Sequence, residues 1–181
     1  PIKNQPCDAR CMKPKNLMRY LSAYPVSVQQ QASELLDANK LGNVLKTRHP
    51  QPHTLTSASL LYDFAQQLKN DYMRSSPPIS KVVYDDKIHV VDNALGLHTF
   101  VSRKQGNKLK AKNEIRVSSL FRNTPEAFLR MIIVHELAHL KEKDHNKAFY
   151  KLCQHMEPDY FQLELDLRLY LCHKEQYGDL W

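Results

Sequence analysis

Two histidines and a glutamate stand together at His135-Glu136-Leu137-Ala138-His139. On a helix, residues four apart lie one above the other on one face, with Cβ atoms roughly 5–6 Å apart. Both imidazoles can then reach one metal ion. Glu136 follows the first of them directly, so its carboxylate sits beside the metal rather than on it. There it can take a proton from metal-bound water. After five intervening residues comes His145, which completes an H-E-x-x-H-x5-H set. Three protein ligands with one open position make a catalytic zinc site, whereas a closed set of four is structural. Zinc lowers the pKa of water at that position to around 7. Glu136 then acts as general base and later hands the proton to the leaving group. This is machinery for hydrolysing an amide, and water activated in this way also attacks phosphoesters and anhydrides.

The surroundings strengthen the pattern. Residues 128–134 are largely apolar, which places the histidines on a buried helix. Buried polar side chains must be satisfied, and one metal does this for two histidines and a glutamate together. The polar stretch 140–144 lets the helix stop and return His145 to the site. The same three-histidine spacing occurs in the HExxHxxGxxH form of the metzincins, but Glu142 occupies the glycine position here. Glu157 and Glu164 are alternative third ligands, since a glutamate on a following helix serves some zincins. Tyr150 and Tyr160 could donate to a tetrahedral oxyanion, though core packing is the simpler role. Asp159 could orient a ligand histidine or cap a helix. His89, His98, His155 and His173 have no partner spacing and read as surface or core residues.

These residues need elements to hold them. Residues 1–27 are irregular, and residues 28–45 read as one helix ending at Gly42 and Pro50. A second helix starts near Thr54 or Thr56, with Leu60, Leu61, Phe64, Ala65, Leu68 and Tyr72 forming an apolar face. The pattern then shifts to short β-branched runs at 81–85, 87–91, 98–102 and 114–118, with turns at Gly96 and Gly106-Asn107. From Thr124 the chain is helical again. Thr124 reads as the N-cap, Pro125 as the first helical residue, and the helix runs to about Glu142. Asp144 can cap the next helix, and a last one covers about 160–173. Trp181 and the leucine stripe at 165–171 read as packing. Helices, then strands, then helices predict an α+β fold: a small, mostly antiparallel sheet packed on the HExxH helix over 79–181, behind an N-terminal helical extension over 1–78.

Composition sets the outer bounds. The chain has 181 residues, 42% of them hydrophobic, with only 4 Gly and 10 Pro. Global disorder and fibrous repeats are excluded, and a chain of this size buries roughly 70% of its unfolded surface. No apolar run reaches the roughly 20 residues a membrane span needs, and the first fifteen residues lack the apolar stretch of a signal peptide. Cys7, Cys11, Cys153 and Cys172 read as free thiols, which with the missing leader predicts a cytoplasmic protein. A four-thiolate zinc site is not expected. The net charge of +7 invites a nucleic-acid partner. Lys13, Lys15 and Arg19 lie near the start, and Arg103, Lys104, Lys108, Lys110 and Lys112 cluster within ten residues. The second cluster reads as a solvated hairpin tip, with weak nucleic-acid contact as the alternative.

The segment VHELAHLKEKDHNKAFYKLCQHMEPDY, residues 134–160, resembles the YgjP-like metal-dependent hydrolases. These are zincin-type metallopeptidases related to the SprT-like and WLM families. The resemblance rests on VHELAHL, a histidine after four more residues, the Phe149-Tyr150 pair and Pro158-Asp159-Tyr160. It covers roughly the last hundred residues. It implies that His135, His139 and His145 bind zinc, that Glu136 is catalytic, and that a short sheet packs on the metal-binding helix in a zincin-like core. Upstream, Arg103 and Gly106 fit a turn of the family, while Gln105 and Asn107 stand where that turn carries Trp and Ser. The strand before the helix is where such an enzyme would pair an extended peptide by edge addition. The expected activity is therefore that of a zinc metallopeptidase acting on a peptide or protein. The alternatives are a nucleic-acid-associated SprT-like protease and a non-catalytic zinc-containing binding module.

Overall fold

The computed structural model describes residues 17–88, 96–105 and 108–181. The expected turn at Gly106-Asn107, His89, Cys7, Cys11, Lys13 and Lys15 lie outside the described residues. A short 3-10 turn, Leu17–Leu21, leads into helices α1 (Val26–Asp37), α2 (Leu41–Arg48) and α3 (Ala58–Tyr72). Strands β1 (Ile79–Asp85), β2 (Gly96–Gln105) and β3 (Lys108–Ser118) follow. A second 3-10 turn, Ser119–Asn123, hands the chain to α4 (Glu126–Ala138), α5 (Lys147–Met156) and α6 (Tyr160–Tyr177). The α+β class expected from the sequence is the one observed.

Local chemistry sets the helix ends. The single helix expected over 28–45 is two, because Asn39 adopts φ 53° between them. Asn tolerates that left-handed conformation better than most residues. In α3, Ser57 caps the first turn by accepting from the Leu60 amide, and Leu61, Ala65 and Leu68 bury one stripe. At α4 the cap falls one residue later than expected. Pro125 is the N-cap residue, and the fully buried Thr124 turns its hydroxyl back to the Phe121 carbonyl. At α5 the cap is Asn146 rather than Asp144, its side chain accepting from the amides of Ala148 and Phe149. The last helix runs on to Tyr177, where Gly178 at φ 90° closes it with a bond to the Lys174 carbonyl.

The sheet departs from expectation. Its order is β1-β3-β2, so β3 is central. β2 and β3 form an antiparallel hairpin from Gly96↔Val117 to Gln105↔Lys108. β1, however, runs parallel to β3, with Val82 beside Ile115 and Tyr84 beside Val117. The sheet is thus mixed rather than mostly antiparallel. Alternating β-branched residues mark a strand but not its direction, which the connection decides. Of the expected strand 87–91, Lys87 lies in a turn held by the Asp85 carboxylate, and 89–91 lie outside the described residues. The basic cluster sits toward the hairpin end, where Arg103 pairs with Lys110 and Gln105 with Lys108 in the backbone register.

α4 is the centre of the molecule. Phe128, Leu129, Met131, Ile132, Ile133, Val134, Leu137 and Ala138 are all fully buried, so the helix is apolar nearly all round. The sheet, α3, α5 and α6 pack around it. The buried residues of α1–α3 belong to the same apolar cluster as those of the sheet and α4–α6. Asp166 of α6, 1% exposed, accepts from Arg48, His49 and Gln162, which pins α2 to α6. Among the described residues no helix is long and apolar enough to cross a membrane.

Candidate metal centre

The last turns of α4 and the corner into α5 build the site. His135 and Glu136 lie inside α4, and His139 is its C-cap residue. Amides of Leu140, Lys141 and Glu142 still bond back to Leu137 and Ala138, so the chain keeps turning past the cap. The Asn146 cap then starts α5 and leaves His145 at the corner. His145 Nε2 stands 3.1 Å from His135 Nε2 and 3.2 Å from His139 Nε2. Phe149, fully buried, forms the floor, with ring centres 4.7–5.0 Å from all three imidazoles. The potential ligand atoms of the three histidines lie within 4.8 Å of one another.

The outer nitrogens are engaged. His139 Nδ1 lies 3.0 Å from the Glu142 carbonyl, which can only accept. The proton therefore sits on Nδ1, and Nε2 presents a lone pair. His135 Nδ1 lies 2.7 Å from Tyr160 Oη. Burial pushes the Cys153 thiol up to about 12, and the hydrogen bond from Tyr160 pulls the other way. With its Nε2 lone pair turned to the cluster, a neutral His135 carries its proton on Nδ1, and the Tyr160 oxygen accepts it. Burial first, then the other two histidines, hold His135 down at about 3, so it is neutral at pH 7. Burial and His139 lower His145 as well.

This arrangement fits a divalent cation. Imidazole lone pairs that face one another repel, and a cation between them turns the repulsion into ligation. Nitrogens held 2.0–2.1 Å from a tetrahedral ion stand roughly 3.3–3.4 Å apart, close to the separations seen. Glu136 adds a second sign. It is 2% exposed, burial pushes its carboxyl up to about 8, and its Oε2 has no hydrogen-bond partner among the described residues. A buried acceptor without a donor costs about 1–3 kcal/mol, which the chain accepts where the atom has a task outside the fold.

The two alternative third ligands are occupied elsewhere. Glu157 accepts from Arg130 Nε at 2.6 Å, and Glu164 accepts from Arg168 at 2.7 and 3.2 Å. Asp159 is the N-cap residue of α6 but makes no side-chain cap bond. Tyr160 lies behind His135, on the side away from the converging nitrogens, so it orients an imidazole rather than facing an oxyanion. No local spacing signals that role, because 25 residues separate the two side chains. Sequence reasoning also missed the wall beside the site. There Arg168, gripped by Glu164, donates to the Tyr20 carbonyl and lies over the Tyr24 ring.

Residues 23–170 match a family model described as YgjP-like, metallopeptidase domain. The match takes in α1–α3 as well as the motif-bearing hundred residues. Over 154 residues, 85% of this chain and 92% of the relative, the sequence is 59% identical to the UTP pyrophosphatase of Escherichia coli (strain K12). No solved structure matches. The family description implies a divalent metal and a hydrolase, consistent with the three converging histidines. The chain belongs to the YgjP-like family of metal-dependent hydrolases.

Proposed function

We propose that this chain is a zinc-dependent hydrolase of the pyrophosphate bond of a nucleoside triphosphate, with UTP as reference substrate. One observation carries the reading: three imidazoles converge at the end of the helix that holds Glu136, a buried carboxyl whose Oε2 has no hydrogen-bond partner among the described residues. His135, His139 and His145 would hold the ion, and the sheet beside their helix fits a zincin-like core. A bound divalent ion supplies positive charge that acidifies water and draws in a substrate oxygen. Glu136 takes the proton of the attacking water. The water oxygen bonds to the α-phosphorus, the bond from that phosphorus to the bridging oxygen breaks, and pyrophosphate leaves with the electron pair.

Three points favour the anhydride over an amide. The ligand set is neutral, so the site keeps a net positive charge suited to an anionic substrate. The strand before the helix, β3, is paired on both sides over residues 113–117, which removes the free edge that this stretch was to offer an extended peptide. The relative at 59% identity bears the name UTP pyrophosphatase. The second reading is peptide hydrolysis by the same water and base. The family description as a metallopeptidase domain favours it, and among the described residues no strand pairs with the outer side of β2. Zinc-loaded protein offered UTP and a peptide library separates the two. We expect UMP and pyrophosphate from UTP and intact peptides. Cleaved peptides with intact UTP would replace the first reading by the second.

The hydroxyl behind His135 gives a prediction of its own. Tyr160→Phe keeps the ring and removes the acceptor for the His135 Nδ1 proton. Loss of such an outer hydrogen bond typically weakens metal binding about 10–100-fold. Competition with a chromophoric chelator should show that loss in Kd, while the unpartnered Nδ1 proton costs the metal-free protein about 1–3 kcal/mol and leaves it folded. Equal Kd values would leave Tyr160 as packing alone.

A further inference from the structure

Phe161 is 46% exposed although it stands next to the fully packed Tyr160. Its exposed ring is not isolated. Tyr150 lies against it, ring centres 5.5 Å apart and planes tilted by 35°. Tyr150 in turn faces His145 at 6.3 Å and 33°. The three rings therefore form a fan that starts at the metal cluster and opens to solvent. Each step is closer to parallel than to edge-on, so the outer faces remain available for stacking. The fan is formed by the α5 and α6 N-terminal turns, which the Asn146 cap and the Tyr160 bond to His135 hold in place.

We infer that the Tyr150–Phe161 face is the platform on which the base of a nucleoside triphosphate stacks while its phosphates lie at the histidines. This rests on the substrate reading given above and adds the part of the protein that recognises the nucleoside. The geometry suits it: ring contacts run without a break from His145 through Tyr150 to the exposed Phe161, in steps of 6.3 and 5.5 Å. Stacking tolerates every base, because each has a π-face. The platform therefore recognises a nucleobase as a class, and uracil and cytosine nucleotides depend on it alike.

Phe161→Ala tests this, since an exposed ring can be removed without opening the core. Binding is measured by calorimetry on zinc-loaded protein carrying Glu136→Gln, so that no turnover is needed. UTP is compared with inorganic tripolyphosphate, which has the same anhydride and no base. We expect Phe161→Ala to weaken UTP about ten-fold or more and tripolyphosphate by less than two-fold. Phe161→Trp should restore UTP, and Phe161→Leu should not. Equal losses for both ligands, an unchanged Kd for UTP, or no UTP binding by the parent protein would each overturn the platform. Failure of the hydrolysis reading is seen separately. Wild-type protein would then leave UTP intact even while the UTP-specific loss at Phe161→Ala persists.

Discussion

Glu136→Gln should keep its zinc and hydrolyse UTP about a hundred- to ten-thousand-fold more slowly, the range of general-base contributions. The amide has the shape of the carboxyl but cannot take a proton from water. Metal retention separates this effect from loss of the site, because Glu136 is not among the converging ligand atoms. The same variant has a second readout in the metal-free protein. Glu136 stands at about 8 in the folded chain against an ordinary value of 4.5, so between those values the folded state holds a proton that the unfolded state releases. Stability from this group is full below about pH 4.5 and is lost as pH rises through 8. At 1.36 kcal/mol per unit, the loss between pH 4 and pH 8 is on the order of 4 kcal/mol. Glutamine has no proton to lose, so the variant should be spared it in denaturant titrations. His135 acts in the opposite sense. Its folded value of about 3 lies below 6.5, so its stability is lost as pH falls through that window, equally in both proteins. Bound zinc reverses the Glu136 penalty, because a neighbouring cation favours the carboxylate. A variant with full hydrolytic rate would remove Glu136 from the chemistry.

His145→Ala should abolish zinc binding and, with it, hydrolysis. This histidine is exposed, so its loss leaves no cavity in the core. Its Nε2 is the atom that stands near both other imidazoles, and without it two ligands remain. Removing a direct ligand should weaken zinc by more than the roughly 10–100-fold that loss of an outer hydrogen bond costs. Glu157→Gln and Glu164→Gln are the controls. Their carboxylates are held by Arg130 and Arg168, so both variants should bind zinc as wild type does. Calorimetric titration of the metal-free proteins reads all three. Zinc bound tightly by His145→Ala but lost in Glu157→Gln or Glu164→Gln would hand the third position to a glutamate.

The local part of this site was legible in the sequence, and the long-range part was not. Four-residue helical spacing puts His135 and His139 on one face, and the apolar run before them announces the buried α4. The polar break at 140–144 announces the corner that returns His145. Helix caps shifted by a residue or two, at Pro125 and Asn146, because several adjacent residues can cap and packing selects among them. The break at Asn39 was hidden because apolar periodicity runs on across it. Strand direction was not legible at all. The parallel pairing of β1 with β3 makes β3 central, and that weakens the peptide reading. The Tyr160 bond to His135 and the ring contacts of Phe161 arise from α6 folding back onto α4 and α5. No window of local sequence contains both partners.

The central claim is that three histidines and one glutamate form a metal-dependent hydrolytic site. It is tested most directly by stripping the protein of metal and following UTP hydrolysis as zinc is added back in known equivalents. The rate should start near zero, rise in proportion to zinc, and break at one equivalent per chain. A stripped, folded protein that hydrolyses UTP at full rate, or one that takes up an equivalent of zinc and stays inert toward both UTP and peptides, would contradict it.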